Sequence, residues 1–232
     1  GNIEFIFSID NYSNRELISQ VNEFKNKNVN AQIFVNKPAL GSRKNYEFCL
    51  IKANGDYFIR IDDDDVPYDQ YYIENLVNVI NNGYDFIIPR VDTIDENNKV
   101  IRKNITHSYK NCVTAEQFAI AYFNESAMIF FALWKTNKLR SLKNHRYNAH
   151  YIEGSTNLYA AINFKGAYCY ESRLLYRIHN ATVSRSDKAV HYIKDYTIYF
   201  YDAFRVVLSS RNKISNHKLI ILKLITSYFM HI

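Results

Sequence analysis

The chain has 232 residues, and 47% of them are hydrophobic, so one large α/β domain with a sizeable core can form. Its formal charge is +6, but no basic stripe carries motifs that read RNA or DNA, so we expect no nucleic-acid partner. The three cysteines are widely spaced, which disfavours a zinc site and a disulfide framework and favours reduced thiols in the cytoplasm.

The first part of the chain alternates between strand and helix patterns joined by short connections. Hydrophobic runs predict strands over 3–9, 31–35 and 57–61, and helical spacing predicts helices near 17–24 and 45–53. This order is typical of parallel βαβ units.

The second part is predicted to continue the alternation and to end in helix. In chain order the predicted elements are a helix over 71–80, a strand over 84–91, a hairpin return over 99–102, a helix from Thr114, a strand over 127–134, a helix over 155–164, short strands over 167–170 and 174–177, and helix from 187 onward. Trp134 is expected in the core, with stacking on an acceptor sugar as the alternative.

Four consecutive aspartates, 62–65, follow the third predicted strand. Adjacent carboxylates repel one another and are costly to hold without a cation. Hard divalent cations bind through carboxylate oxygens, and open α/β sheets bind ligands at the carboxyl ends of their strands. The run therefore indicates a cation site. The alternative is a solvated acidic turn, which most acidic runs are.

Five ordered motifs, spread from about residue 3 to residue 184, resemble family 2 glycosyltransferases. They are the turn led by Asp10, the loop and helix start over 36–45, the run 53–57 leading into the aspartates, the pair Glu153-Gly154, and the strand end Tyr176-Arg177-Ile178-His179 with Ser184. The resemblance implies an α/β protein of the GT-A type, a nucleotide-sugar-binding, Rossmann-like mixed sheet flanked by helices. This domain would cover 1–184, and a helical C-terminal extension would cover 185–232.

The resemblance also implies a cation and its ligands. Asp64 and His179 would ligate a divalent cation, Mn²⁺ or Mg²⁺, which offsets the charge of the leaving diphosphate. Asp62 would face the ribose or the donor sugar, and Asp63 and Asp65 would orient the turn or act through water. Taken alone, a histidine at this place is more often a surface or hydrogen-bonded residue.

The nucleotide would be held by residues nearer the start of the chain. By resemblance, Asp10 accepts a hydrogen bond from the nucleobase, while a turn or helix-capping aspartate is the structural alternative. Arg43 and Lys44 lie at a helix start, where backbone N–H groups and cations suit phosphate. A solvated basic pair is the alternative for these two.

The general base is the assignment in which the chain departs from the family. The family has a Glu-Asp pair where this chain has Glu153-Gly154, so Glu153 is the nearest carboxylate to the expected position. His150 is the second candidate. Glu153 could also serve only to cap the helix that begins near Ser155.

The start of the chain departs from the family as well. The family's first strand and helix have no counterpart, and residue 1 already lies at what resembles the second strand. Because the first strand is central in the GT-A sheet, we expect roughly 30 upstream residues, one βα unit, in the natural protein. We also expect a gap between the strands at 3–9 and 57–61.

Together the motifs predict an inverting, metal-dependent glycosyltransferase of bacterial surface polysaccharide synthesis. Its partners would be a nucleotide-sugar donor, UDP-linked by expectation, and a saccharide or lipid-linked acceptor. The rivals are a nucleotidyltransferase of the same fold, whose glycine-rich loop is not visible here, and a binding module without chemistry. The expected location is cytoplasmic. The apolar segment 218–225 either docks on the domain or makes a peripheral contact with the inner face of the membrane.

Overall fold

The computed structural model describes residues 3–28, 30–125, 131–142, 152–178 and 189–231. The chain divides into two compact units. The first comprises Gly1–Phe58 with Lys135–Arg140, and the second comprises Ile59–Trp134 with Ser141–Ile232.

Strands and helices alternate along most of the chain, as the hydrophobic pattern predicts. Their bounds are β1 (Phe5–Ile9), α1 (Arg15–Lys27), β2 (Ala31–Val35), α2 (Ser42–Lys52), β3 (Tyr57–Phe58), β4 (Val66–Pro67), α3 (Tyr72–Ile80), β5 (Phe86–Ile94), β6 (Val100–Arg102), α4 (Ala115–Glu125), β7 (Leu133–Lys135), α5 (Thr136–Ser141), α6 (Ile152–Asn163), β8 (Gly166–Arg177), α7 (Ala189–Ser209) and α8 (His217–His231).

The first unit contains the predicted parallel βαβ arrangement. Strands β1 and β2 pair in parallel, from Phe5 opposite Ala31 to Ile9 opposite Val35, with α1 as the crossover. The side chain of Asn14 caps α1 by accepting a hydrogen bond from the backbone N–H of residue 17 at 3.0 Å. Phe24 packs edge-on against the ring of Phe5, with 5.1 Å between ring centroids. Among the described residues, β1 pairs with β2 and β3 is not part of that sheet.

The third predicted strand is shorter than its hydrophobic run suggested. The run predicts a strand over 57–61, whereas β3 ends at Phe58 and the backbone over 59–61 has no strand assignment. The segment that contains α5 makes hydrogen bonds with the backbone just before β3. Thr136 donates its backbone N–H to the carbonyl of Asp56 at 2.9 Å, and Arg140 donates to the carbonyl of Ala53 at 2.5 Å.

The second unit is built on a mixed sheet with the order β7, β5, β8, β4 and with β6 beside β5. Strand β5 runs parallel to β8 and antiparallel to β7 and β6, which confirms the predicted hairpin. The two short strands predicted over 167–170 and 174–177 are one strand, β8. Cys169 lies opposite Pro89 but Arg173 lies opposite Arg90, so residues 170–172 form a bulge that interrupts the strand pattern.

The core of this unit surrounds β5, whose residues are buried except Arg90. The rings of Phe86 and Trp134 stack with centroids 4.7 Å apart, and Trp134 is buried, so the alternative of sugar stacking by Trp134 is wrong. Gly166 packs so closely on Phe86 and Phe118 that a Cβ there would overlap the Phe86 ring. This close approach is why β8 begins with glycine.

The C-terminal part of the chain is not one continuous helix. α7 and α8 are separated by a short 3₁₀ turn at Arg211–Lys213, and both pack with α4 and α6 around one apolar cluster. Ile220 and Leu224 of α8 are buried in that cluster, which confirms the docked alternative. Within the described residues, none of the helices combines the length and apolar character needed to cross a bilayer.

A buried ion network joins the two central strands of this sheet. The carboxylate of Asp92 is completely buried and contacts the guanidinium of Arg90 at 3.2 Å and that of Arg173 at 2.6 Å. It also accepts a hydrogen bond from the backbone N–H of Asn104 at 2.6 Å. Burial opposes ionisation, but the Asn104 N–H and the two guanidiniums outweigh it and hold the pKa of Asp92 below its usual range.

We therefore expect Asp92→Asn to lower the free energy of unfolding by about 3 kcal/mol or more, because breaking a buried ion pair costs about 3–5 kcal/mol. The pKa of Asp92 is lower in the folded state than in the unfolded chain, where it is about 3.9. Its ionisation therefore stabilises the fold fully at a pH above about 3.9, and this stabilisation is lost as the pH falls through the pKa of the folded state. The difference between wild type and variant should therefore shrink in acid. Urea unfolding from pH 7 to pH 3 measures both effects.

Asp69→Asn is the matched control for this change, because Asp69 is exposed and, in the described ranges, its side chain accepts a local hydrogen bond from the N–H of Tyr71 at 2.8 Å. It should change stability by less than about 0.5 kcal/mol. An Asp92→Asn loss as small as that of Asp69→Asn, or one that does not vary with pH, would contradict the role given to the network.

Candidate functional site

The four aspartates form a closed turn between β3 and β4. The backbone N–H of Asp65 donates to the carbonyl of Asp62 at 3.1 Å. Asp63 is exposed, Asp62 and Asp64 are half-buried and Asp65 is buried. The turn thus points its carboxylates into environments of different polarity, which a freely solvated acidic run would not do.

Arg177, the last residue of β8, holds this turn in place. Its backbone N–H donates to Asp65 Oδ1 at 3.1 Å, and its Nε donates to the carbonyl of Asp64 at 3.0 Å. The other end of the guanidinium donates to the carbonyl of Asp95 at 2.8 Å and to Asn98 Oδ1 at 2.7 Å. One side chain therefore fixes the acidic turn against the β5–β6 hairpin.

A second arginine holds the first carboxylate of the run. Arg60 donates from Nε to Asp62 Oδ1 at 2.5 Å and from Nη2 to Asp62 Oδ2 at 2.8 Å. This is the bidentate pairing that suits a planar guanidinium and a carboxylate. Arg60 thereby sets the orientation of Asp62 and offsets part of the charge of the turn.

Asp65 is the carboxyl group whose ionisation is most perturbed. Burial, together with the charges of Asp64 and Asp62, raises its pKa to about 7, against the opposing effects of the Arg177 N–H and the Arg60 guanidinium. Its Oδ2 is buried and accepts no hydrogen bond within the described part of the chain. A nearby cation would favour the ionised form of Asp65 and so offset both the burial and the repulsion from Asp64 and Asp62.

The residues of the turn fit part of a divalent-cation site. Their donors are carboxylate oxygens, the ligands that Mg²⁺ and Mn²⁺ prefer, and the unpartnered Asp65 Oδ2 lies beside Asp64 in the chain. Across the described ranges, no three His, Cys, Asp or Glu side chains gather as a metal site. Mg²⁺ is commonly held by one or two carboxylates with substrate phosphates, so two carboxylates are a sufficient protein contribution.

In the first unit, Asp10 organises the loop that leads into α2. Its Oδ2 accepts the backbone N–H of Gly41 at 2.7 Å and its Oδ1 accepts Asn36 Nδ2 at 2.8 Å. Asn36 also contacts Asn45 Oδ1 at 3.1 Å, and Asn45 donates to the carbonyl of Ser8 at 2.9 Å. Gly41 has a φ of +77°, which favours glycine there. Asp10 is therefore the anchor of this loop.

The start of α2 is an electropositive helix end. The helix begins at Ser42, three residues before its predicted start, so Arg43 and Lys44 lie in its first turn, which carries no acidic residue. Arg43 pairs with Glu47 at 3.0 Å and is half-exposed, an arrangement that contributes little stability. Free backbone N–H groups and these cations together suit an anion.

The predicted site residues thus fall into two sets. Asp62, Asp63 and Asp64 lie together in the second unit, whereas Asp10, Arg43 and Lys44 lie in the first. Glu153 lies in the first turn of α6, but its side chain is outside the described part, as are His150 and His179.

Two arginines that hold the acidic turn were not predicted from the sequence. Arg60 precedes Asp62 by two residues, which places both on one side of an extended chain, and this spacing was the available signal. Arg177 belongs to the strand-end motif, but its contact with a turn 112 residues earlier is not visible in a local sequence pattern.

Comparisons with known proteins agree with this architecture. The crystal structure of S. aureus TarS 1-349 with UDP has 11% sequence identity and a TM-score of 0.70, and the match covers 98% of this chain and 62% of that one. The same protein with UDP-GlcNAc has 13% identity and a TM-score of 0.75, with coverage of 98% and 64%. This chain spans less than two thirds of those chains. A search of curated proteins found no match.

The fold expectation is confirmed, since the mixed sheet flanked by helices matches these GT-A structures over nearly the whole chain. The family model described as Glycosyl transferase family 2 matches residues 1–149, more than half of the sequence. The chain therefore belongs to glycosyl transferase family 2.

Proposed function

We propose that this chain is an inverting, divalent-cation-dependent glycosyltransferase that uses a UDP-sugar and builds a surface polysaccharide. The observation that supports this most is the acidic turn, whose buried Asp65 oxygen has no hydrogen-bond partner in the described residues and whose backbone is fixed by Arg177. Family membership and the fold shared with a UDP-GlcNAc-binding protein support the donor class.

Each set of residues has a separate task in this proposal. Asp64 and His179 would hold the cation, joined by Asp65, whose Oδ2 has no hydrogen-bond partner in the described residues, and the cation would supply charge compensation for the diphosphate. Asp62, oriented by Arg60, faces the sugar or ribose hydroxyls. Asp10 and the loop that it anchors receive the nucleobase, and Arg43 and Lys44 at the start of α2 attract phosphate.

The chemical step is a displacement at the anomeric carbon. The acceptor oxygen forms its bond to that carbon while the bond from the carbon to the diphosphate oxygen breaks, and the electron pair leaves with the diphosphate. The acceptor proton passes to a general base, for which Glu153 is the proposed residue and His150 the alternative. Attack on the face opposite the leaving group inverts the configuration.

We favour a soluble saccharide acceptor over a lipid-linked one at a membrane surface. The apolar side chains Ile220 and Leu224 of α8 are buried against the domain, so they are not available to insert into lipid. Leu222 is exposed and lies between Lys218 and Lys223 in the sequence. This exposed leucine supports the alternative, a peripheral contact of α8 with a membrane surface.

A panel of nucleotide sugars tests the donor class directly. Thermal unfolding should shift upward with a UDP-sugar and Mn²⁺ or Mg²⁺ present together, because a ligand that binds only the native state raises stability by mass action. Release of UDP then reports turnover. Equal stabilisation by a nucleoside triphosphate with sugar phosphate, and pyrophosphate as product, would support the nucleotidyltransferase rival instead.

Asp64→Ala should abolish transfer and remove the metal-dependent part of nucleotide binding while the fold survives. Titration of UDP by calorimetry, with and without Mn²⁺, measures the binding, and circular dichroism checks the fold. Glu96→Ala, an exposed carboxylate of the β5–β6 hairpin, is the control and should leave both unchanged. Full activity of Asp64→Ala, or wild-type activity that survives a chelator, would refute the cation proposal.

Asp10→Asn should weaken UDP binding about tenfold or more, because a hydrogen bond to a charged group is worth about 1.5–3 kcal/mol and the amide can no longer accept from both Gly41 and Asn36. Calorimetric titration of UDP measures the loss. Asp85→Asn, which removes a carboxylate that accepts a backbone N–H at the amino end of β8, is the matched control. Unchanged UDP affinity in Asp10→Asn would remove the nucleobase role from Asp10.

Glu153→Gln should lower kcat by about 10²–10⁴-fold and keep donor affinity, because the carboxamide keeps the shape but cannot take the acceptor proton. Initial rates at saturating donor measure kcat. Near-normal rates in Glu153→Gln together with a collapse in His150→Ala would assign the base to His150. If the wild type turns over none of the donors, and neither variant differs from it, the domain is a binding module.

A further inference from the structure

Six side chains of the second unit form a continuous row of contacts that includes none of the four aspartates of the acidic turn. We call it the arginine–tyrosine row. In order of contact its members are Tyr68, Arg173, Asp92, Arg90, Tyr170 and Lys110. The row crosses β8 and β5 and uses residues that the proposed transfer reaction leaves without a task.

Asp92 fixes the two arginines at the centre of the row. Its buried carboxylate holds the guanidiniums of Arg90 and Arg173, whose side chains remain 19% and 18% exposed. The Nε of Arg173 is buried and donates to no acceptor in the described ranges. The two planar cations are therefore oriented before any ligand arrives, which lowers the entropic cost of binding one.

Tyrosine rings cover both guanidiniums and stay open to solvent. The Arg173 guanidinium lies 4.0 Å from the Tyr68 ring centroid, and that of Arg90 lies 5.2 Å from the Tyr170 centroid. Tyr68 is 56% exposed and Tyr170 is 50% exposed. Lys110, which is exposed, adds a third cation 5.8 Å from the Tyr170 centroid.

The simpler interpretation is a set of ordinary surface cation–π pairs, which occur about once per 70–80 residues. Here two such pairs share one buried carboxylate, and a third pair shares the Tyr170 ring with one of them. Burial of Asp92 also costs free energy that an isolated surface pair would not require. Three cations against one carboxylate leave the row with an excess of positive charge.

We propose that the arginine–tyrosine row binds an anionic saccharide and is a subsite for the acceptor of the proposed reaction. Exposed aromatic rings pack on sugars, and the excess positive charge of the row attracts phosphate or carboxylate groups. Arg90 already uses Nε and Nη2 on Asp92, so its contribution is charge and not a two-point contact. Arg173 precedes Arg177 by four residues in β8, so Arg173 lies about 13 Å along the strand from the residue that holds the acidic turn, and Tyr68 follows Asp65 by three residues. A short oligosaccharide spans that separation.

The inference rests on the proposed function for its meaning, but its test does not require turnover. Binding of three probes is measured without donor: a hyaluronan hexasaccharide with carboxylates, a phosphorylated pentamannose, and neutral maltohexaose. The wild type should bind an acidic probe at least tenfold more tightly than maltohexaose, and added salt should weaken that binding. Whichever acidic probe binds more tightly identifies the anionic group.

Two variants locate the binding in the row. The double change Tyr170→Ala with Lys110→Ala removes an exposed ring and an exposed cation and should weaken acidic-probe binding about tenfold or more. Tyr68→Ala, at the other end, should weaken it in the same direction. The matched control is Tyr84→Ala with Lys165→Ala, a cation–π pair with 4.8 Å to the ring centroid at the amino ends of β5 and β8.

Equal binding of maltohexaose and both acidic probes, or an equal loss in the control and the row variants, would overturn the subsite. UDP binding should be unchanged in every one of these variants. If the wild type binds neither UDP nor any sugar nucleotide but still binds the acidic probe through the row, the proposed function fails and the row stands as a binding site for an anionic saccharide. If UDP binds and no acidic probe does, the reverse holds.

Discussion

Strand β8 carries the constraint on which the acidic parts of the second unit depend. It supplies Arg173 to the buried carboxylate of Asp92 and Arg177 to the turn of Asp64 and Asp65. Neither set of carboxylates could be buried at this depth without a fixed cation or donor beside it, because an unpaired buried charge costs several kcal/mol. The pairing of β8 with β5 therefore determines where negative charge can be held.

Arg173 and Arg177 differ in how far they compensate the carboxylates beside them. At Asp92 the compensation is complete, since two guanidiniums and a backbone N–H surround one carboxylate and its pKa is lowered. At the turn it is incomplete. Arg177 holds the backbone of the turn and uses its remaining donors on the β5–β6 hairpin, so Asp65 keeps a raised pKa and an unpartnered oxygen. A site that is fixed in shape but short of positive charge is suited to receive a cation.

The sequence predicted those features that depend on local pattern. The β1–α1–β2 unit, the β5–β6 hairpin and the docked C-terminal helix follow from periodicity and turn residues, and the motifs identified the family. The bulge at 170–172 was read as a break between two strands, because a bulge and a loop leave the same interruption in hydrophobic spacing. The strand predicted over 57–61 is longer than β3, because β propensity does not show where the pairing partner of a strand ends.

In the candidate site, too, the sequence predicted contacts between neighbouring residues but not contacts between distant ones. The aspartates could be found because they are adjacent, and Arg60 could have been found because it is two residues away. Arg177 could not, because the contact depends on where β8 ends in space. The arginine–tyrosine row is more extreme, since Tyr68, Arg90 and Arg173 come from three separate parts of the chain. In our proposal the acceptor is bound through such long-range contacts, whereas the four aspartates of the proposed cation site are adjacent in the sequence.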